Sequence, residues 1–233
     1  MNAQAPALAY DWVLFDADDT LFHFDALQGL QRTFARHGLA FGHAEYAAFQ
    51  AVNRPLWVDY QHGRLSATEL KRRRFHDWAA RIGLHPDELN RDFLASMVEA
   101  CPPLDGVTAL LDALHGRARL GIVTNGFVDL QEARLRHTGL RERFEVLVIS
   151  EQVGVAKPHP DIFRHALREM GEPAPARVLM VGDNPHSDIA GGHAMGFDTC
   201  WYNPGGLPRP DGVAMRYEVA SHGELARLLL GGG

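Results

Sequence analysis

The sequence is short of cysteine, of lysine and of long apolar runs, and each shortage removes a class of protein. Its two cysteines, Cys101 and Cys200, are far apart and away from any histidine pair, which argues against a disulfide framework or a zinc knuckle. No stretch approaches the roughly 18 uninterrupted apolar residues of a membrane span. The opening MNAQAPALAY has neither the basic start nor the apolar core of a signal peptide. A cytoplasmic protein without a membrane partner is expected. Positive charge is scarce too. A net charge of −6 has the wrong sign for a general nucleic-acid binder.

What is present is ordinary in amount and uneven in place. An apolar fraction of 46% is enough for a core and excludes a disordered chain. The 233 residues suit one large domain, or a core domain carrying an insertion. Residues 24–96 carry a local charge of +2, so the remainder stands at −8. Two regions of different character are implied. Of the 23 basic residues only Lys71 and Lys157 are lysine.

Periodicity separates the same two regions. Asp11–Phe15 reads as a short buried strand. From Phe24 to Glu99 the apolar spacing is three and four, as in Leu27, Leu30, Phe34 and in Phe75, Trp78, Ile82, which predicts helices. Ser66 three residues before Glu69 is a capping box, and Pro86 in LHPDEL suits a first helical turn. After CPPLDG, short β-rich runs alternate with helices. The strands are RLGIVT, EVLVIS, RVLMVG, DTCWY and RYEVA. The helices are Val107–Leu114, Leu130–His137, Pro160–Met170, one near Ile189–Met195, and ELARLLL. Alternation of this kind predicts an α/β fold with a parallel sheet covered on both faces, into which a helical unit is inserted after the first strand.

In such sheets ligands bind beyond the carboxyl ends of the strands. There the chain places Asp16 and Asp18, then Thr124 and Asn125, then Lys157, then Asp183 with Asp188. Residues two apart in an extended segment face the same way, so Asp16 and Asp18 can share a site. Two close carboxylates repel and one tends to keep its proton, which suits one nucleophile and one proton donor. A third carboxylate, Asp183, requires a cation, and an all-oxygen ligand set favours Mg²⁺. Lys157 would neutralise a phosphoryl group, and Thr124 and Asn125 would donate hydrogen bonds to it. Lysine in a chain that otherwise uses arginine points to a compact charge at that position. Asp19, on the other side of the segment, reads as a turn residue. His23 and His186 are the two histidines close to these positions.

DADDT, VTNG, VAKP and GDNPHSD, in that order, resemble the four motifs of the haloacid dehalogenase-like hydrolase superfamily. The resemblance implies a Rossmann-like doubly wound core at 1–22 and 100–233, with an all-helical cap at 23–99. It implies Asp16 as nucleophile and Asp18 as acid, then base. Mg²⁺ would be held by Asp16, Asp18 (through its carbonyl) and Asp183, with Asp188 as an outer partner. Having Asp18 favours phosphatases over dehalogenases. Longer strings (DADDTLFHFD, QAVNRPLWVDYQHG, LVISEQVGVAKP) are similar to the bacterial noncanonical pyrimidine 5′-nucleotidases. That subgroup implies a nucleoside monophosphate such as dUMP, dTMP or UMP as the small-molecule partner. Trp57, Tyr60 and Phe127 are then candidates to stack on the base. A sugar-phosphate phosphatase or mutase would share this core. A phosphoacceptor signalling module would share the aspartates and lysine, but not the helical insertion. A phosphonate hydrolase would need a reactive cap lysine, and Lys71 in KRRRF reads instead as part of a solvated face.

Overall fold

The computed structural model describes residues 8–231. At its centre lies β1 (Trp12–Phe15), buried along its whole length. Alternation sends Val13 and Phe15 to one face and Trp12 and Leu14 to the other. Both pairs are apolar, so both faces of the strand have to be covered. β2 (Arg119–Thr124), β3 (Val146–Ile149), β4 (Val178–Gly182), β5 (Asp198–Tyr202) and β6 (Tyr217–Val219) complete one sheet, in the order β3-β2-β1-β4-β5-β6. Every pairing is parallel. Phe15 sits opposite Ile122 of β2 and Val181 of β4, so β1 ends between two strands that run on to Thr124 and Gly182. The chain leaves β1 towards both edges of the sheet, and this topology opens a crevice at the carboxyl end of β1.

One face is covered by α6 (Val107–Leu114), α7 (Val128–His137) and α11 (His222–Leu230), through Leu110, Leu111, Leu135 and Leu225. On the other, α9 (Pro160–Glu169) packs Ile162, Phe163 and Ala166 against Leu14, Val123 and Met180. Between β1 and α6 run five helices: α1 (Ala26–Arg36), α2 (His43–Gln61), α3 (Ala67–Arg73), α4 (His76–Ile82) and α5 (Pro86–Ala100). They share a second core, largely aromatic, in which Phe34 stacks on Phe41 at 4.7 Å between ring centres, and Phe49, Phe75 and Phe93 meet at 5.3 to 6.4 Å. Gly29 lets α1 lie close against α5, because a side chain there would collide with Met97. The fold is a Rossmann-like doubly wound core with an inserted helical cap. Among the described residues no helix is long and apolar enough to cross a membrane.

The chain enters and leaves the cap side by side. His23 N–H donates to the Pro102 carbonyl and Leu104 N–H to that of Leu21, both at 2.9 Å. The strand and helix bounds expected for the core hold within a few residues, and the departures have local causes. Ser150, expected in the third strand, begins the short helix α8 (Ser150–Val153). Phe127 is extended, so α7 starts two residues before the expected Leu130. The helix expected near Ile189 is preceded by a wide π turn, Pro185–Ile189, and only then continues as α10 (Ala190–Ala194). The Asn184 side chain accepts the amides of His186 and Ser187, which opens that turn. The capping box at Ser66 and the first-turn position of Pro86 are both present.

Leu14 has no exposed surface and lies at the middle of the sheet. Leu14→Ala is expected to cost about 2–5 kcal/mol in a urea titration, as cavity-forming core truncations do. A loss below about 1 kcal/mol would mean that the two layers close around the gap.

Candidate active site

The carboxyl ends of β1, β2 and β4 bring Asp16, Thr124 and Asp183 to one place, and the loop after β3 adds Lys157. The Lys157 ammonium is 1% exposed and is held by three oxygens: Asp16 Oδ1 at 2.6 Å, Asp188 Oδ1 at 2.8 Å and the Val123 carbonyl at 2.7 Å. Burial opposes its charge, but Asp16 and Asp188 outweigh burial and hold its pKa above the ordinary lysine value. One ammonium cannot balance three carboxylates. Oxygens of Asp16, Asp183 and Asp188 lie within 4.8 Å of one another. Asp183 shows the imbalance most clearly. Burial, then the charges of Asp16 and Asp188, push its pKa from 3.8 up to about 8. Asp188 is likewise raised, by burial first, against the pull of Lys157. A compact cluster of hard oxygen donors with one cation too few fits a divalent ion such as Mg²⁺.

Each member is positioned by its neighbours. Asp16 N–H donates to the Val181 carbonyl at 2.9 Å, which ties the end of β1 to β4. Thr20 Oγ1 accepts the Asp183 N–H at 2.9 Å, so the loop after β1 supports the end of β4. Asp188 accepts the Asn184 N–H and the Ser187 hydroxyl. The π turn carries it back until its carboxyl lies against Gly182, where any side chain would collide with it. Such widened turns are frequent at functional sites.

Asp18 stands apart from this cluster, in the wall of a cavity of about 270 Å³ between cap and core. Its Oδ1 is paired with Arg134 Nη1 at 2.7 Å. Gln131 reaches Asp18 Oδ2 at 3.5 Å, and its own Oε1 accepts Arg134 Nη2 at 2.7 Å. Arg134 is fully buried, with its guanidinium 4.1 Å from the Phe22 ring centre. The Asp18 pKa is raised by burial, against Arg134 and with Asp16 adding to the rise. Sequence reasoning missed Arg134 and Gln131. They stand three apart on α7 and both are buried, but in the sequence they look like any polar pair on a solvated helix face.

Thr124 Oγ1, at the carboxyl end of β2, is buried without a hydrogen-bond partner among the described residues, which leaves its hydroxyl free to donate. The Asn125 side chain, expected on the phosphoryl group, is engaged elsewhere. Its Oδ1 accepts the Lys157 N–H at 2.7 Å and its Nδ2 donates to the Lys157 carbonyl at 2.9 Å, so it fixes the lysine's backbone. Asp19 is a turn residue, with φ of 55° and its side chain accepting the Phe24 N–H.

The cap candidates divide. Trp57 and Phe127 line the cavity, with ring centres 5.2 Å apart. Tyr60 does not line it, because its hydroxyl donates to Ser150 Oγ at 2.9 Å and its ring packs edge-on against Trp57. Lys71 is a correction to the expected solvated face. It pairs with Glu151 of the core at 2.6 Å, and Asp129 lies at 3.6 Å, because the basic run begins where cap and core meet. His186 is exposed in the π turn, and His23 is exposed at the start of the cap.

Gly182→Ala is expected to displace Asp188 and cost about 1–3 kcal/mol in chemical denaturation, as overpacking does. Unchanged stability would mean that the turn can retreat at no cost.

The comparisons agree with this geometry. Residues 10–196 match the family model described as haloacid dehalogenase-like hydrolase. The chain is 49% identical to pyrimidine 5′-nucleotidase YjjG of Escherichia coli (strain K12) over 222 residues, covering 95% of this chain and 99% of that protein. It is 32% identical to pyrimidine 5′-nucleotidase PynA of Streptococcus pneumoniae, covering 93% of each. Among solved structures, the putative HAD-hydrolase YfnB from Bacillus subtilis, bound to magnesium, superposes with a TM-score of 0.79 at 29% identity, covering 94% of this chain and 98% of that one. The family match takes in β1, both sides of the cap and the π turn that carries Asp188. This chain belongs to the haloacid dehalogenase-like hydrolases.

Proposed function

We propose that the chain is a cytoplasmic, Mg²⁺-dependent phosphatase that hydrolyses pyrimidine nucleoside 5′-monophosphates such as dUMP, dTMP and UMP. The observation that carries this reading is the cluster of Asp16, Asp183 and Asp188 around one lysine, next to a cavity whose wall contains Asp18. The likeness to two pyrimidine 5′-nucleotidases supports the choice of substrate.

In the proposed reaction an Asp16 oxygen attacks phosphorus, and the bond from phosphorus to the 5′-oxygen breaks. Asp18 donates its proton to that oxygen as the nucleoside leaves. Asp18, now a carboxylate, takes a proton from water, which attacks the aspartyl phosphate and releases phosphate and free Asp16. Lys157 offsets negative charge on the phosphoryl oxygens, and the unpartnered Thr124 hydroxyl donates to one of them. Asp16, Asp183 and the Asp18 carbonyl would hold Mg²⁺, with Asp188 acting through Lys157 and the surrounding turn. The ion supplies the charge that lets an anion approach a phosphate dianion. The cap, taken as 23–99, would exclude water and carry the substrate contacts of Trp57 and Phe127.

Asp16→Asn should lower turnover of a phosphate ester by about 10³-fold or more, as removal of a nucleophile does. Retained turnover would remove Asp16 from that role. A panel of nucleotides and sugar phosphates tests the substrate, and no preference for pyrimidine monophosphates would overturn that part.

Metal dependence has a pH signature. Folding raises the Asp183 pKa from 3.8 to about 8, so the folded state binds that proton more tightly than the unfolded state. Without metal, this group's contribution to stability is lost as pH rises through that window. Mg²⁺ binds the anion and restores it. The Tm gain on adding Mg²⁺ should therefore be larger at about pH 8.5 than at about pH 5, and Asp183→Asn should abolish the difference. Equal gains at both pH values would contradict Asp183 as a ligand.

A further inference from the structure

Two polar groups in the cap's share of the cavity take no part in the chemistry at the sheet end. Arg74, which caps the end of α3, is 4% exposed. Its Nε and Nη2 both donate to Asn90 Oδ1, a neutral acceptor. The guanidinium lies 5.0 to 5.1 Å from the ring centres of Phe75, Phe93 and Phe127. Among the described residues no carboxylate pairs with it, and burial alone pushes its pKa down to about 9. The other buried cations are treated differently: Lys157 has Asp16 and Asp188, and Arg134 has Asp18. A buried charge without a counter-ion is costly, and this one lines a cavity.

The second group is Asn53, on α2. Its Nδ2 donates to Gln50 Oε1 at 3.2 Å, and Gln50 Nε2 donates to the Tyr46 hydroxyl at 2.6 Å. This chain of donors runs in one direction and leaves Asn53 Oδ1 as an acceptor. That oxygen is buried and has no partner among the described residues. Asn53 lines the same cavity as Arg74. A buried acceptor without a partner and a buried guanidinium without a counter-charge ask for one ligand that supplies both complements.

We propose that Arg74 and Asn53 read the end of the substrate remote from phosphate, and that the group they accept is a ring with an adjacent carbonyl and N–H, the imide edge of uracil or thymine. This deepens the reading of the chain as a pyrimidine-nucleotide phosphatase and rests on it. The Arg74 guanidinium donates to the ring carbonyl, and Asn53 Oδ1 accepts the ring N–H. Trp57 and Phe127 supply apolar surface in the same cavity for the ring faces. Cytosine presents the opposite edge: its amine meets the guanidinium, and its N3 lone pair meets Asn53 Oδ1. A carboxylate or a second phosphate would satisfy Arg74 but leave Asn53 without a donor. Asp18 in the cavity wall connects this end of the pocket to the site of the chemistry.

The test compares dUMP, dCMP and acetyl phosphate as substrates of the full-length protein with Mg²⁺, its Arg74→Met and Asn53→Ala variants alongside. Acetyl phosphate carries no ring. The wild type should favour dUMP over dCMP by about 10-fold or more in kcat/KM, since a mismatched edge leaves buried groups unpaired. Arg74→Met should lower kcat/KM for dUMP about 10- to 100-fold, while acetyl phosphate turnover stays within about threefold. Asn53→Ala should shrink the dUMP preference, and it decides the matter if Arg74→Met does not fold. Equal use of dUMP and dCMP by the wild type would overturn the proposal, as would an equal loss on dUMP and acetyl phosphate in Arg74→Met. Binding of deoxyuridine and deoxycytidine, followed by tryptophan fluorescence, separates this inference from the proposed reaction. If no phosphate ester is turned over but deoxyuridine still binds selectively, and Arg74→Met or Asn53→Ala removes the selectivity, the reaction fails and the inference stands. If the two nucleosides bind equally, the inference fails whatever the turnover.

Discussion

The ammonium of Lys157, held between Asp16 and Asp188, is the interaction on which the rest of the site depends. It joins the loop after β3 to the end of β1 and to the π turn after β4, three segments far apart in the chain. Much of the surrounding structure serves to make that contact possible. Asn125 fixes the lysine's backbone on both sides of the residue. Gly182 leaves room for Asp188, and the Asn184 cap opens the turn that delivers it. Buried ion pairs seldom gain much stability over apolar packing. This one is better understood as holding two carboxylates in place where repulsion alone would drive them apart.

Charge is distributed between two ends of one pocket. At the sheet end three acids surround one lysine, leaving negative charge for a metal ion to offset. At the cap end a guanidinium sits among aromatic rings with only an amide oxygen for company. A molecule with a phosphate at one end and ring carbonyls at the other would span the two. Between them, Asp18 is held by Arg134 and Gln131 from the core's own α7, so the group expected to move a proton is positioned independently of the cap. Tyr60 and Lys71 serve a different purpose. Both join the cap to Ser150 and Glu151 at the start of α8, and so set how the cap lies on the core.

Much of this was legible in the linear sequence, and the legible part has a common cause. Strands, helices and the acids after each strand follow from periodicity and from the rule that α/β ligands gather at strand ends, both of which are local. Asp16, Asp18, Lys157 and Asp183 could be named for that reason. Arg134, Gln131, Arg74 and Asn53 could not, because a polar residue on a helix looks the same in the sequence whether it faces solvent or a cavity. Tyr60 and Lys71 were misread on similar grounds. An aromatic in a cap and a lysine in a basic run have ordinary explanations until the facing surface is known. Asn125 was placed in the correct loop but given the wrong contact, since its partner lies 32 residues away.

The sequence by itself determined the alternation of strands and helices, the insertion of a helical unit after β1, and the acids and lysine that gather at the sheet end. It could do so because hydrophobic period and residue chemistry are properties of short segments. Only the tertiary structure decided which charges are paired and which are left over. Pairing depends on distances across the sheet and between cap and core, and those exist only once β1 lies between β2 and β4 and α3 has packed beside Phe127.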